Sequence, residues 1–304
     1  MTTDVHLAIL TDAVRVRELL AVVHALEDEG AVPLVFKGAA LAHTHYAESW
    51  HRPRLDADIL IAPECRESVF ATLDRLGYQR GTLISGELVM YQAPFLRTDH
   101  LGIEHALDIH WRIVNPQVVS DVLTHAGLAE RSQVVLVHGL PMRVPSSVDA
   151  LLIACLHRVH HPEFRQPYWT EDIHLLASAL DRSQWQAFTD AAASRAIRAI
   201  CLHGLRLAEE RFQTTLPSEV VTALSEGAPE PSAVFLRQDL RPLHRLMADL
   251  RALGPRAAAR LIREHLIPPA GYMQAKYGVR SRVWLPAYYA IRGLSGMSKW
   301  LKAA

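Results

Sequence analysis

The sequence has few cysteines and no pattern through which they would hold zinc. Its 304 residues include Cys65, Cys155 and Cys201, which lie far apart and are odd in number. No CxxC pair or Cys/His spacing typical of a zinc site occurs. Because disulfides are rare in the cytoplasm, we expect reduced, buried thiols and a cytoplasmic location.

The sequence also lacks a long apolar run and a basic amino-terminal leader. No uninterrupted apolar stretch approaches the roughly 18 residues that a membrane-spanning helix needs. The first residues carry Asp4 and Asp12 and no basic region followed by an apolar stretch, so no signal peptide is predicted. Half of the residues are hydrophobic and 21% are charged, a composition typical of globular chains. We therefore expect a soluble protein with no transmembrane segment.

The formal net charge is zero, but the two signs are distributed unequally. Residues 231–304 contain 13 Lys or Arg and three Asp or Glu, a balance of +10, so residues 1–230, with 19 and 29, carry −10. The basic part either meets an anionic partner, such as RNA or an anionic membrane surface, or packs on the acidic part of the chain. Internal packing is favoured, and nucleic acid remains the alternative.

Hydrophobic spacing predicts an α/β part followed by a helical part. Up to Pro145 it indicates helices at 11–29, 37–47 and 63–77 and strands at 32–36, 54–62 and 102–113, with weaker strands at 133–137 and 140–144. Beyond Pro145 it indicates helices near 147–161, 170–180, 183–195, 197–212, 217–226, 232–251, 256–266 and 283–302. We therefore expect two domains, residues 1–145 and 146–304.

Three aspartates in two predicted strands form the most informative pattern. Asp56 and Asp58 are two residues apart, so their side chains are expected to project from one face of the sheet. Asp108 lies between Leu107 and Ile109, whose burial would expose Asp108 on the opposite face. Like charges held side by side raise each other's pKa unless a cation lies between them. Three carboxylates from two strands suit two Mg²⁺ ions, with Mn²⁺ as an alternative.

Lys37 and Gly38 lie where the first predicted strand meets the next helix. A glycine at such a turn lets the backbone approach a phosphate closely, and a helix amino terminus attracts anions. Lys37 adds a positive charge there, and Arg52, four residues before Asp56, adds a guanidinium suited to phosphate oxygens. A lone DxD or KG pair is common, so the prediction depends on their combination in this order.

These residues resemble the polymerase-β-like nucleotidyltransferase superfamily, and most of all the bacterial group called uncharacterised nucleotidyltransferase. The resemblance is carried by VFKGAALAHTHY (35–46), RPRLDADILI (52–61) and LDIHWRI (107–113), and it extends more weakly over most of residues 11–220. It implies a polymerase-β-like α/β (α+β) domain with a mixed sheet, followed by an all-helical domain. An NTP would be the co-substrate.

The resemblance also implies roles for individual residues. Asp56 and Asp58 would bind metal, and Asp108 would complete the triad as a ligand and as the base that accepts the acceptor's proton. Gly38 would correspond to the phosphate-contacting glycine of the superfamily. The superfamily commonly has Gly-Ser at this turn, whereas Ala39 follows here; Lys37 would supply the contact that the missing hydroxyl makes.

The implied reaction moves NMP from an NTP to an acceptor hydroxyl or other nucleophile and releases pyrophosphate, as in EC 2.7.7-like enzymes. A small molecule or peptide natural product is the favoured acceptor. The alternatives are a toxin-like or regulatory transferase that nucleotidylates protein or RNA, and a non-catalytic binding module on the same fold. Retention of all three carboxylates argues against the binding module.

Two residues of the helical part are assigned to the nucleotide-binding site. His157 and Asp172 lie in segments of the weaker resemblance, LLIACLHRVHH and WTEDIHLL. A hydrogen bond between helices is the alternative role for both. The i, i+4 pair of His157 and His161 has a spacing that can hold zinc, but the HExxH glutamate is missing. A polar helix face turned toward the cleft is therefore favoured.

Overall fold

The structure is a computed structural model. It describes residues 3–81, 87–160, 167–237, 241–279 and 281–302. The strands are β1 (Leu34–Phe36), β2 (Ala57–Leu60), β3 (Gln79–Arg80), β4 (Gln92–Thr98), β5 (Glu104–His110), β6 (Gln133–Val137) and β7 (Leu140–Val144). The helices before residue 180 are α1 (Thr3–Asp28), α2 (Lys37–Thr44), α3 (Arg66–Arg75), α4 (His125–Glu130), α5 (Ser147–His160) and α6 (Pro167–Ala179). They are followed by α7 (Arg182–Ser194), α8 (Arg198–Phe212), α9 (Ser218–Ser225), α10 (Pro242–Ala252), α11 (Pro255–Leu266), α12 (Ala270–Tyr277) and α13 (Leu285–Lys302).

The larger sheet is mixed and has the strand order β1-β2-β5-β4-β3. Strands β2 and β5 run parallel, whereas the other neighbouring pairs run antiparallel. Strands β6 and β7 form a separate hairpin. From Ser147 onward, all regular elements in the described ranges are helical. The predicted α/β fold with a mixed sheet, followed by helices, is therefore confirmed.

Alternate residues of the strands face two apolar clusters. Val35 and Ile59 belong to a cluster that includes residues of α1 and α3, whereas Leu34, Phe36 and Leu60 belong to a cluster that includes residues of α5 to α9. This is the period-2 pattern of a sheet covered on both faces. The second cluster contains residues from both sides of position 145, and the division into domains there remains a prediction.

Several elements differ from those predicted. Helix α1 begins at Thr3, earlier than predicted. Its first turns were missed because Leu7 and Leu10 are exposed and no apolar stripe indicates a buried face there. The second strand begins only at Ala57, because residues 52–56 form an irregular segment. The helix predicted at 232–251 is divided into a 3-10 turn and α10, which Pro242 starts. Strand β4 and helices α4 and α12 were not predicted.

One further observation concerns membranes. Within the described ranges, no helix combines the length and the apolar character needed to cross a bilayer.

The packing of α5 against the sheet leads to a stability prediction. Leu156 is fully buried in the cluster that includes both strand and helix residues. We expect Leu156→Ala to lower the free energy of unfolding by about 2–5 kcal/mol, because it removes buried apolar contacts and leaves a cavity. Denaturant titration followed by circular dichroism measures the change. Leu10→Ala, at a residue that is 64% exposed, should change it by about 0.5 kcal/mol or less; equal losses would contradict the prediction.

Candidate active site

The parallel pairing of β2 with β5 brings two acidic side chains together. In its register Asp58 lies directly opposite Asp108, and residues opposite each other in neighbouring strands point to the same face. The alternation predicted for β5 is confirmed: Leu107 and Ile109 are buried on the other face, and Asp108 is only half-buried. Two carboxylates are thereby fixed side by side in the sheet.

Two nitrogen groups contact these carboxylates, Lys37 at Asp58 alone and His110 at both. Lys37 Nζ donates to Asp58 Oδ1 at 2.7 Å. His110 Nε2 lies 2.9 Å from the same oxygen and 3.3 Å from Asp108 Oδ2. His110 is almost completely buried, and its ring packs edge-on against Phe36. Together, the ligand atoms of Asp58, Asp108 and His110 lie within 4.8 Å of one another.

The charges of this group control one another's pKa values. Burial alone would raise the pKa of Asp58, but Lys37 and His110 lower it well below its usual range. For His110, burial and the charge of Lys37 lower the pKa, whereas Asp108 and Asp58 raise it, and the net shift is upward. Asp58 is therefore a carboxylate that relies on nearby positive charge.

Asp56 lies outside the strand, in the bend that precedes β2. The prediction that Asp56 and Asp58 lie on one strand was therefore wrong for Asp56, although both residues line the same cavity. Partial loss of solvation beside the cavity, followed by the charges of Asp58 and Asp108, raises the pKa of Asp56 to about 6. The metal-free protein thus keeps Asp56 charged at some energetic cost.

Asp108 has one satisfied and one unsatisfied oxygen. Gln92 Nε2 of β4 donates to Asp108 Oδ2 at 2.5 Å, whereas the buried Oδ1 has no hydrogen-bond partner among the described residues. A buried carboxylate oxygen without a partner is costly. Carboxylate oxygens are the ligands that hard divalent cations prefer. The residues present therefore fit a metal ion such as Mg²⁺.

Lys37 and Gly38 begin α2 immediately after β1, as predicted. Lys37 adopts a φ of 52°, a left-handed conformation that is uncommon and strained for a residue other than glycine. Its side chain is only 14% exposed. The strained backbone directs the ammonium to Asp58, beside the free N–H groups at the start of the helix.

Gly38 is needed for a close approach that the sequence did not indicate. A Cβ built at this position would lie 3.2 Å from Cζ and Nη2 of Arg52. The group packed against the glycine is therefore the guanidinium of a neighbouring side chain. Room for a phosphate at this turn remains a prediction.

Arg52 and Asp172 form a buried ion pair across the cavity. Arg52 Nε and Nη2 donate to the two carboxylate oxygens of Asp172, each at 2.8 Å. Tyr46 Oη donates to Asp172 Oδ1 at 2.9 Å, and the ring of Tyr168 lies 4.1 Å from the guanidinium carbon. The pair joins the segment before β2 to helix α6. The guanidinium of Arg52 is thus occupied by Asp172. Its contact with a phosphate stays a prediction.

The site residues that were predicted from the sequence line one cavity of about 300 Å³. Its lining includes all eight of them: Lys37, Gly38, Arg52, Asp56, Asp58, Asp108, His157 and Asp172. The ring of His157 packs edge-on against Trp169, with the ring centres 4.7 Å apart. His161, the second histidine of the zinc alternative, lies outside the described residues.

Parts of the basic carboxy-terminal segment dock on the α/β part. Asp249 of α10 accepts a hydrogen bond from the Val118 backbone at 3.3 Å, and Glu264 of α11 accepts one from the Leu88 backbone at 2.7 Å. Arg260 pairs with Glu87. These contacts agree with the favoured interpretation of internal packing.

His110 and Gln92 are the site residues that sequence reasoning missed. His110 follows Asp108 at i+2 and thus lies on the same strand face, a signal that would have identified it. Gln92 lies on β4, which was not predicted at all, so no local signal linked it to Asp108.

Acidic residues on neighbouring strands, beside a lysine at a strand-to-helix turn, are the arrangement expected of enzymes that transfer nucleotidyl or phosphoryl groups. The chain belongs to the family described as uncharacterised nucleotidyltransferase, whose sequence profile matches residues 1–213. The resemblance found in the sequence is thereby confirmed. No curated protein matches the chain.

Two solved structures are similar at low identity. One is a solution structure of the antibiotic-resistance factor ANT(2'')-Ia, with 17% identity and a TM-score of 0.40 over 62% of this chain and 98% of that one. The other is an antigenic nucleotidyltransferase-like protein from Paracoccidioides brasiliensis, with 12% identity and a TM-score of 0.41 over 71% and 92%. Both similarities are distant, and the family assignment rests on the sequence profile.

The buried ion pair leads to a second stability prediction. Arg52→Met and Asp172→Asn should each lower the free energy of unfolding by about 3–5 kcal/mol, because each leaves a buried charge without its partner. The double variant should lose less than the sum of the two. Chemical denaturation of the four proteins measures this coupling. Glu29→Gln, which breaks an exposed pair with Arg75, should cost about 1 kcal/mol or less; additive losses at the buried pair would contradict the prediction.

The raised pKa of Asp56 predicts a pH-dependent effect on stability. The folded protein keeps this proton up to about pH 6, whereas the unfolded chain releases it near pH 4. Wild-type stability contributed by this group is thus lost as the pH rises between these values. With EDTA present, Asp56→Asn should raise the Tm at pH 8 and leave it unchanged below pH 4. Asp74→Asn, on the exposed surface of α3, is the control; a lower Tm for Asp56→Asn at pH 8 would refute the prediction.

Proposed function

We propose that the protein transfers a nucleoside monophosphate from an NTP to an acceptor. The acceptor's hydroxyl oxygen, or another nucleophile, bonds to the α-phosphorus. The bond between that phosphorus and the bridging oxygen of pyrophosphate breaks. The acceptor's proton passes to a base, for which Asp108 is proposed.

One observation carries this proposal. Asp58 and Asp108 lie opposite each other on parallel strands, and Lys37 at the start of α2 reaches the same carboxylate. Acidic side chains and the turn that is proposed to bind phosphate thus line the same cavity, which supports the proposal. Nucleotidyl transfer needs both features, because it must bind a triphosphate and neutralise the charge that develops on it.

Asp56, Asp58 and Asp108 are the residues proposed to hold divalent metal, and His110 offers a further ligand atom. The unpartnered Oδ1 of Asp108 supports this assignment. Two Mg²⁺ ions, or Mn²⁺, would neutralise the phosphate oxygens and polarise the α-phosphorus when bound. The ions would also offset the repulsion that raises the pKa of Asp56.

The remaining residues bind and orient the nucleotide in this proposal. Lys37 contributes a mobile positive charge, and the free N–H groups at the start of α2 face the triphosphate. Arg52 and Asp172 hold the turn at Gly38 against helix α6, as their mutual hydrogen bonds support. His157 lines the helical side of the cavity. Catalysis would then come mainly from positioning and charge neutralisation.

The proposed acceptor is a small molecule or a short peptide. Of the described residues that line the cavity, Asp172 is the last in sequence. The described parts of the basic helices α10 to α13 therefore do not line it. A volume of about 300 Å³ is at the lower end of the range for small-molecule sites. The three free cysteines suit a reducing compartment such as the cytoplasm.

Transfer of label from radioactive nucleotides tests the function. The protein is incubated with Mg²⁺, each α-³²P-labelled NTP in turn and fractions of cell extract. Label in small molecules or peptides is the expected result. Label in large proteins or RNA would instead identify a protein- or RNA-modifying enzyme. No transfer from any NTP, by a protein that is shown to be folded, would overturn the proposed function.

Substitution of the acidic residues tests whether they hold the metal that the proposed reaction needs. Asp58→Asn and Asp108→Asn should each reduce the rate of label transfer by about 10³-fold or more, since each removes a charged ligand worth several kcal/mol in the transition state. Asp74→Asn should transfer at the wild-type rate. Near-wild-type turnover by either of the first two variants would exclude that carboxylate from the metal site.

A further inference from the structure

The ammonium of Lys37 lies where a metal ion would contact the acidic pair. Lys37 Nζ is 2.7 Å from Asp58 Oδ1 and 3.4 Å from His110 Nε2. Asp58 and His110 also belong, together with Asp108, to the group of potential metal ligands. A metal ion bound by Asp58 Oδ1 and the ammonium would repel each other at this distance. They therefore compete for one carboxylate oxygen.

The use of lysine in this chain makes the position unusual. Of the 32 basic residues, 28 are arginine, and Lys37 is the single lysine before residue 276. An ammonium is a compact point charge on a flexible stem, whereas a guanidinium is planar and prefers fixed two-point contacts. Only the ammonium resembles a metal ion in shape and can move between two anionic partners.

The backbone at Lys37 also indicates that its side chain is needed there. The φ of 52° is a strained conformation for a residue other than glycine. Glycine would adopt this conformation without strain. The strain is offset by the ion pair with Asp58 and by contact of the ammonium with the ring of Phe36, at 5.0 Å.

We propose that Lys37 is an exchangeable cation of the metal site. Without metal, its ammonium neutralises Asp58; when divalent metal and nucleotide bind together, the ammonium leaves Asp58 and pairs with the triphosphate. This inference rests on the proposed function, because it takes the triphosphate as the second partner of Lys37.

The exchange makes binding of metal and of the triphosphate cooperative. Metal alone must remove the ammonium from Asp58 and leave it with no new partner. A triphosphate supplies that partner, and its negative charge attracts the displaced side chain. Each ligand then raises the affinity for the other, typically by about 5- to 150-fold for coupling of this kind.

Binding of Mn²⁺ without nucleotide tests the competition. Free Mn²⁺ is measured by electron paramagnetic resonance during titration of wild type, Lys37→Met, Lys37→Arg and Lys276→Met at pH 8. Lys37→Met keeps the length of the side chain but removes the charge, so its affinity for Mn²⁺ should exceed that of wild type by about tenfold. Lys276→Met should bind like wild type, and Lys37→Arg, which keeps a positive charge on Asp58, should bind no more tightly than wild type. Equal or weaker binding by a folded Lys37→Met would overturn the exchange.

The movement of the side chain can also be observed directly in the wild-type protein. Lysine-selective ¹³C labelling gives one side-chain Cε signal for each of four lysines, and Lys37→Met assigns that of Lys37. Mg²⁺ together with inorganic tripolyphosphate should shift the Lys37 signal strongly, and tripolyphosphate with EDTA should shift it little. An unchanged signal with Mg²⁺ and tripolyphosphate, although both bind, would overturn the proposal.

The results separate this proposal from the proposed function. Wild type that transfers label but binds Mn²⁺ as tightly as Lys37→Met would overturn the exchange alone. The expected differences in Mn²⁺ binding and NMR shift, without label transfer from any NTP, would support the exchange and overturn nucleotidyl transfer. Failure of all four folded proteins to bind Mn²⁺, together with no label transfer from any NTP, would overturn both.

Discussion

Repulsion between the carboxylates of Asp58 and Asp108 is the constraint that organises the rest of this site. Parallel pairing of β2 with β5 fixes the two side chains opposite each other, and neither can move away without breaking the sheet. Lys37 and His110 neutralise them, and Gln92 satisfies one oxygen of Asp108. The strained start of α2 and the burial of an imidazole both follow from the need for positive charge at this point.

Much of the site could be predicted because it depends on short-range geometry. The junction of β1 and α2 at Lys37 follows from an apolar run that ends at a glycine. The exposure of Asp108 follows from the period of two along β5. Which strands pair could not be derived from such patterns. The order of the Lys-Gly turn, the paired aspartates and the strand aspartate along the chain nevertheless favoured an arrangement in which these residues meet. A family resemblance over the same residues then supported the assignment, and a sequence profile confirms it.

The parts that could not be predicted depend on contacts between distant segments. Pro94 within β4 lacks an N–H group, which disfavours a position inside a sheet; the short β3 leaves that side of β4 little paired. The ion pair of Arg52 with Asp172 joins residues 120 positions apart, and no periodic pattern encodes it. Asp56 was placed in a strand because its neighbours are apolar, whereas irregular backbone extends up to it.

The close packing of Arg52 on Gly38 has a consequence for sequence variation in the family. A Cβ atom at position 38 would lie 3.2 Å from the guanidinium, closer than side chains normally pack, so the guanidinium would have to shift. That shift would disturb its two hydrogen bonds to Asp172. Glycine at position 38 should therefore accompany the Arg–Asp pair during evolution. A relative with a larger residue at position 38 should have lost the arginine at 52 and the aspartate at 172 together.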